Sequence, residues 1–408
     1  MTEACPFSPF DPTVMADPYE YFAWLRANAP VYEVPNAGYF AISRYQDIKE
    51  ICKNPAIFSS VCTGFLRRDK GGQIRVMDTD TTDSASGLVL GAADAPHHTR
   101  HRGPLSKTVA PRVRQLEGWL RDLCETVLDS AINRGSMDFM EEYASLVSSR
   151  AVSHLIGLPP EDAKQLESWS AVSAQIIGGV SSDAELMENG TAILDFRQYL
   201  ADKLSEAREF SGDNVMGDLC TLMRSSDNDL TEGEILGILF QLVVGAHETT
   251  AAIIGCALQM SEYFPDIYAD VQTDHALIPN YLEEIIRLET PAQGNYRKTT
   301  RETVLAGVRL PKGSPLMLMW GSANRDEHEF ENAGELILDR PNIKNHLGFG
   351  QGIHFCIGAA LARLEARVAM EVFLSRCEKL TVHLTYQKPK YLPSLFIRRL
   401  SKLEVSFS

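Results

Sequence analysis

Between residues 112 and 262 apolar side chains recur at spacings of three and four, the period of amphipathic helices. The run RQLEGWLRDLCETVLDSAI, residues 114–132, shows it most plainly. Thr231-Glu232-Gly233-Glu234 precedes a long apolar stretch, a spacing that predicts a capping box with Thr231 as N-cap and Glu234 at N3. The helix it opens is expected to run to about Tyr263, where Phe264-Pro265 stops it. Short strand-like pieces appear early, at Val31–Val34 and Tyr39–Ile42, bounded by turn residues. They return late, at Val304–Leu310, Pro315–Trp320 and Leu380–Leu384. Glycine and proline cluster at residues 71–72, 178–179 and 341–352. No 20–50-residue period repeats, so a solenoid or propeller is not expected. The pattern predicts a mainly α chain with small β-sheets at its two ends, an α+β class.

Composition narrows the functions open to such a chain. Its 408 residues allow two to three domains by length alone, and enough buried core to enclose a cofactor. Hydrophobic residues make up 44% and charged residues 23%, as in ordinary globular proteins. The net charge of −15 argues against coating nucleic acid or anionic membrane, which needs a cationic face. The 8 cysteines are scattered without a CxxC pair, which points to a reducing compartment and mostly inert buried thiols. The first residues lack a basic then apolar leader pattern. Ile235–Leu258 is apolar, but Gln241, His247, Glu248, Thr249 and Thr250 interrupt it, so a buried helix is expected rather than a membrane span. A cytoplasmic protein with neither membrane nor nucleic acid as partner follows.

Candidate chemistry concentrates in His346-Leu-Gly-Phe349-Gly350-Gln-Gly352-Ile-His354-Phe-Cys356-Ile-Gly358. The glycines let backbone approach something flat and close. The cysteine sits just before a strongly helical stretch, where backbone N–H groups and the helix dipole favour thiolate. Thiolate is a soft ligand that suits haem iron. A lone cysteine is more commonly an inert buried thiol. A zinc site using His354 and Cys356 lacks a second ligand pair with suitable spacing.

The segment resembles the haem-thiolate signature F-G-x-G-x-H-x-C-x-G of the cytochrome P-450 monooxygenases, and Leu361-Ala362-Arg363-x-Glu365 resembles that family's next helix. The resemblance implies haem b as cofactor, Cys356 as proximal iron ligand and His354 as a propionate contact. Phe349, Gly350 and Gly358 belong to the same haem loop.

Three further regions match in the family's order. Asp94-Ala-Pro96-His-His98-Thr-Arg-His-Arg102 resembles D-x-P-x-H-x-x-x-R. His98 and Arg102 are four apart on one helix face, where two donors suit a propionate; His97 and His101 are expected at the surface. Glu284-Ile-Ile-Arg287 resembles the family's E-x-x-R, which Arg340 closes into a structural triad. Arg297 matches a further propionate-binding arginine. Gly245-Ala246-His247-Glu248-Thr249-Thr250 resembles the acid–alcohol pair beside the oxygen-binding face. By resemblance Thr249 hydrogen-bonds dioxygen and Glu248 delivers protons, while His247 is a packing or solvent-side residue. The match runs from Asp17-Pro18-Tyr19 to the C-terminal strands, which implies one P-450 domain over residues 1–408. It departs at Gly245-Ala246, at Phe330–Ile337, where Pro, Phe and Asp of the usual pattern are replaced, and at Arg399, where many relatives have glycine.

The implied activity is a soluble, bacterial-type monooxygenase that puts one oxygen atom of dioxygen into a medium-sized hydrophobic molecule, by hydroxylation or O-dealkylation. With no flavin or iron–sulfur domain in the chain, electrons are expected from a ferredoxin and its NAD(P)H-dependent reductase. Residues 97–114 hold Arg100, Arg102, Lys107, Arg112 and Arg114 and no acid, an island suited to an acidic redox partner. The pocket is expected to use Leu88, Ile176, Val244, Gln293, Asn295 and Phe396, and the protein to be a monomer. Arg67, Arg68 and Arg75 are either solvated loop charge or a substrate-carboxylate site. The rivals are a haem-thiolate protein that works without external electrons and a non-catalytic haem sensor.

Overall fold

A computed structural model describes residues 5–61, 64–69, 71–78, 89–209, 212–224, 230–377, 382–384 and 389–407. The chain opens with α1 (Pro12–Ala16), α2 (Tyr19–Asn28), β1 (Val31–Glu33), β2 (Phe40–Ile42), α3 (Tyr45–Lys53) and β3 (Phe58–Ser59). The hairpin β4 (Gly64–Arg68) and β5 (Ile74–Asp78) follows. A helical block comes next: α4 (His97–Val113), α5 (Glu117–Arg134), a short β6 (Ser136–Asp138), α6 (Leu146–Ile156), α7 (Ala163–Ile177), α8 (Asp183–Glu209) and α9 (Val215–Arg224). It ends with α10 (Glu232–Gln259), α11 (Pro265–Thr273) and α12 (Ile278–Glu289). The remainder carries β7 (Asn295–Thr299), β8 (Thr303–Leu305), β9 (Val308–Leu310), β10 (Pro315–Leu318), α13 (Trp320–Ala323), α14 (Ala359–Cys377), β11 (Val382–Leu384) and β12 (Glu404–Phe407).

The predicted capping box starts α10. Thr231 Oγ1 accepts the Glu234 N–H at 3.3 Å, and Glu234 Oε2 accepts the Thr231 N–H at 2.8 Å. The regular helix ends at Gln259, four residues before the expected stop, and turns carry the chain to Pro265. By length and a mean hydropathy of 1.4 this helix alone, among the described residues, would span a membrane, but most of it is buried inside the protein. It supplies side chains to two apolar clusters, one with α5, α12 and α14 and the other with α4, α8 and α9.

As the sequence pattern suggested, small sheets lie toward both ends of the chain, β4–β5 and β8–β9, but other early and late strands join across the two ends. One five-stranded sheet runs β1-β2-β10-β7-β3, with β10 parallel to β2 and the other pairs antiparallel. Pairing between distant segments is decided by tertiary burial, which local periodicity does not record. A second sheet joins β6 to the C-terminal strands in the order β11-β12-β6. The β4–β5 hairpin places Leu66 and Ile74 inward and Arg67 opposite Arg75 on the other face.

Candidate haem site

The loop before α14 is shaped by backbone geometry. Gly350 has φ +67° and Gly352 φ +77°, a region that side-chain-bearing residues avoid. A Cβ at Gly352 would also lie 2.7 Å from the Cys52 carbonyl oxygen. The Cys356 N–H donates to the Phe349 carbonyl at 2.8 Å and closes the loop. The sulfur is exposed on one side, and a Cβ at Gly358 would stand only 3.8 Å from it. Protein packed behind the thiol pushes its pKa up. The Gly358 and Ala359 N–H groups and the charges of Arg102 and Arg363 oppose that shift.

The expected propionate contacts converge. The His98 and His354 rings lie 4.2 Å apart, and Arg297 and Arg102 are close enough to disfavour protonation of His354. Burial and these charges push His354 down to about 3. Both its ring nitrogens lack a partner. The nearby carboxylate, Asp94, is occupied by the Ser59 hydroxyl and by the Ser60 N–H at 2.9 Å. Open donor capacity at a buried histidine, ringed by His98, Arg102 and Arg297, fits the carboxylates of a haem; the exposed sulfur fits its iron.

A second network anchors this loop. His346 Nε2 lies 2.8 Å from Glu283 Oε2, and Arg363, which bonds the same carboxylate, stacks its guanidinium 4.4 Å from the Phe349 ring centre. Burial works to raise Glu283, but the His346 and Arg363 bonds outweigh it and hold the carboxyl at about 2. Glu283 was not legible as a site residue: beside Glu284 it reads as one more helix charge.

The triad forms as expected. Arg287 donates to both Glu284 oxygens, at 2.6 and 2.8 Å, and Arg340 Nε donates to Oε1 at 3.0 Å. Arg287 also holds the carbonyls of Asn324, Ala333 and Glu335, and Arg340 those of Glu331, Asn332 and Glu335. The segment Phe330–Ile337 is therefore fixed through its backbone, which explains why its altered side chains are tolerated.

On α10, Thr249 Oγ1 donates to the Gly245 carbonyl at 2.8 Å. A Cβ added at Gly245 would meet nothing within 4 Å, so this helix face is open. Glu248, by contrast, is 1% exposed. Its Oε2 accepts Arg399 Nη1 at 2.7 Å, while Arg399 Nη2 donates to Ser145 Oγ at 2.5 Å. Arg399 is thus part of the site and not merely a change of turn. Burial favours the neutral acid, but His247 and Arg399 hold Glu248 below the usual carboxylate range.

Several expectations need correction. His101 is buried, not superficial; its Nε2 lies 2.9 Å from Glu234 Oε1, while His97 is exposed as expected. Gln293 is buried, and its Oε1 has no hydrogen-bond partner among the described residues. Its Nε2 caps α12 by donating to the carbonyls of Glu289 and Thr290 at 2.9 and 2.7 Å. Arg67 and Arg75 share the outward face of their hairpin, where Arg75 pairs with Asp69, and Arg68 donates to the Val180 carbonyl at 3.5 Å. Within the basic island, Arg100 pairs with Glu234, and Arg112 with Asp213 and Asp218. Ile176 lies in the last turn of α7, Val244 lies on α10, and Phe396 stacks at 6.2 Å on Tyr296, the residue after Asn295. Leu88 lies outside the described residues.

A sequence model of the family described as Cytochrome P-450 matches residues 192–407. Cytochrome P-450 144 of Mycobacterium tuberculosis is 32% identical over 391 residues, covering 96% of this chain and 89% of that one. The vitamin D(3) 25-hydroxylase of Pseudonocardia autotrophica is 27% identical and covers 97% of this chain and 95% of its own. The solved structure of cytochrome P-450 CREJ with (4-ethylphenyl) dihydrogen phosphate superposes with a TM-score of 0.89 at 26% identity, covering 99% of this chain and all of that one. A cysteine sulfur open beside a ring of cationic donors, in a fold shared over its whole length with these proteins, places this chain in the cytochrome P-450 family of haem b-binding monooxygenases.

Proposed function

We propose that the chain is a single P-450 domain spanning residues 1–408, monomeric and cytoplasmic, that oxygenates a medium-sized apolar molecule with dioxygen and two electrons from a ferredoxin and its NAD(P)H-dependent reductase. The carrying observation is the open Cys356 sulfur among His98, Arg102, Arg297 and His354, together with the open face of α10 at Gly245. When bound, haem supplies dioxygen activation at a thiolate-ligated iron. Thr249 presents a hydroxyl tethered to its own helix, and Glu248 one residue before it is the carboxyl that passes protons. Ile176, Val244 and Phe396 supply apolar contact, so reaction at a C–H bond of a hydrophobic substrate suits the pocket.

The test has two readings. A carbon monoxide difference spectrum of the reduced protein is expected to show thiolate ligation, lost in Cys356→His; its absence from the parent protein would refute the assignment. Vitamin D(3) is expected to shift the haem spin state and 4-ethylphenyl dihydrogen phosphate is not, since Arg67 and Arg75 lie on the outward face of their hairpin and Arg68 is turned to the Val180 carbonyl. The reverse result would overturn the apolar substrate class. Product formed faster with hydrogen peroxide than with ferredoxin would favour a haem-thiolate protein independent of external electrons.

A further inference from the structure

Two described histidines are buried with both ring nitrogens unpartnered, His354 and His247. The first is explained by the haem carboxylates. Nothing so far explains the second. His247 is 3% exposed and lies on α10 immediately before Glu248. Its Nδ1 stands 3.2 Å from Glu248 Oε1, close enough for an ion pair but not aligned as a hydrogen bond, so that oxygen too keeps open capacity. Consecutive helical side chains diverge by about 100°, yet both are buried here. The Ser148 hydroxyl of α6 holds the His247 backbone by donating to its carbonyl at 3.1 Å, and the C-terminal segment brings Arg399 onto Glu248.

The arginine fork does more than neutralise a charge. With one nitrogen on Glu248 Oε2 and another on Ser145 Oγ, it fixes which oxygen remains open, and the open one is Oε1, toward His247. A carboxylate held by arginine is ionised at neutral pH and has no proton to give until one arrives. Imidazole is the side chain whose ordinary titration lies nearest neutrality. The charged groups gathered here are His247 and Glu248 from α10 and Arg399 from the C-terminal segment, with the Ser145 hydroxyl beside them.

We propose that His247 is the proton-relay partner of Glu248 and that Arg399 is the positioning residue that keeps the Glu248 carboxylate turned toward it. The step transfers one proton and no electrons. The Nδ1–H bond of the imidazolium breaks, an O–H bond forms at Glu248 Oε1, and a proton from water returns to Nδ1, which requires the buried ring to be reached by water between turnovers. The inference rests on Glu248 being the proton-passing carboxyl of the reading above.

The experiment uses haem-loaded protein with a surrogate plant-type ferredoxin, its reductase and NADPH. His247→Gln is expected to slow NADPH consumption on the order of tenfold, to raise its solvent deuterium isotope effect, and to flatten its pH profile between about pH 5 and 8. The carbon monoxide spectrum and melting midpoint should stay as in the parent. Arg399→Gln is expected to act in the same direction. If His247→Gln leaves rate, isotope effect and pH profile unchanged while Glu248→Gln slows the reaction, the relay is overturned and Glu248 stands. If Glu248→Gln also changes nothing, the parent reading fails. A wild-type isotope effect in Arg399→Gln overturns the positioning role.

Discussion

Glu365 lies on α14 fully buried, and neither carboxyl oxygen has a hydrogen-bond partner among the described residues. Burial alone pushes its pKa well above the carboxylate range, so the folded protein holds it neutral while the unfolded chain ionises it near pH 4.5. A raised folded pKa contributes stability fully present below the unfolded value and lost as pH rises toward the folded one. Glu365→Gln has no such proton, so its stability relative to the parent should climb by about 1.4 kcal/mol per pH unit above pH 5. Urea denaturation at pH 5.5, 6.5 and 7.5 would measure that slope, and a flat difference would contradict the neutral buried acid. Residue type and spacing made Cys356, His354, His98 and Arg102 legible, because few other roles require that combination. They did not separate His97 from His101, or Gln293 from a substrate contact. Those outcomes depend on which element packs opposite, as Glu234 does for His101.

At the scale of elements, the helices followed from their 3.6-residue period and the start of α10 from a two-residue box. The folded segment around Phe330–Ile337 was not legible, since its order comes from carbonyl groups bonded to Arg287 and Arg340. Arg340→Ala removes one of the two arginines on a fully buried carboxylate and three carbonyl bonds at once, while Arg287 stays on that carboxylate. The expected loss is about 1–3 kcal/mol, with weakened haem retention, because the triad's loop leads into the haem loop. Denaturant unfolding followed at the haem band checks both, and a loss below about 1 kcal/mol would show the triad to be replaceable. The β4–β5 hairpin escaped sequence reading because three arginines break its apolar alternation; Leu66, Ile74 and Val76 pack it against the body of the protein.

Across the whole molecule, the net charge of −15 makes any exposed cation informative. Intramolecular acids take up Arg100 and Arg112, which leaves Lys107 and Arg114 exposed, Arg114 on the rim of a groove whose other arginines, Arg363 and Arg367, pair with Glu283 and Glu117. Reversing Arg114→Glu should slow reduction by an acidic ferredoxin at low salt and flatten its salt dependence; stopped-flow reduction unchanged at every ionic strength would exclude this face. Arg112 is a poorer probe, because its reversal would break the pairs to Asp213 and Asp218. The sequence by itself determined the helical class, the buried character of α10, the candidate thiolate cysteine and the histidines and arginines placed near it, because each needs particular residue types at short range. Only the tertiary structure decided how early and late strands join in one sheet, which arginines are already paired, and that Arg399, about 150 residues from Glu248, closes on it. Such contacts are set by burial between distant segments, and local periodicity carries no record of that burial.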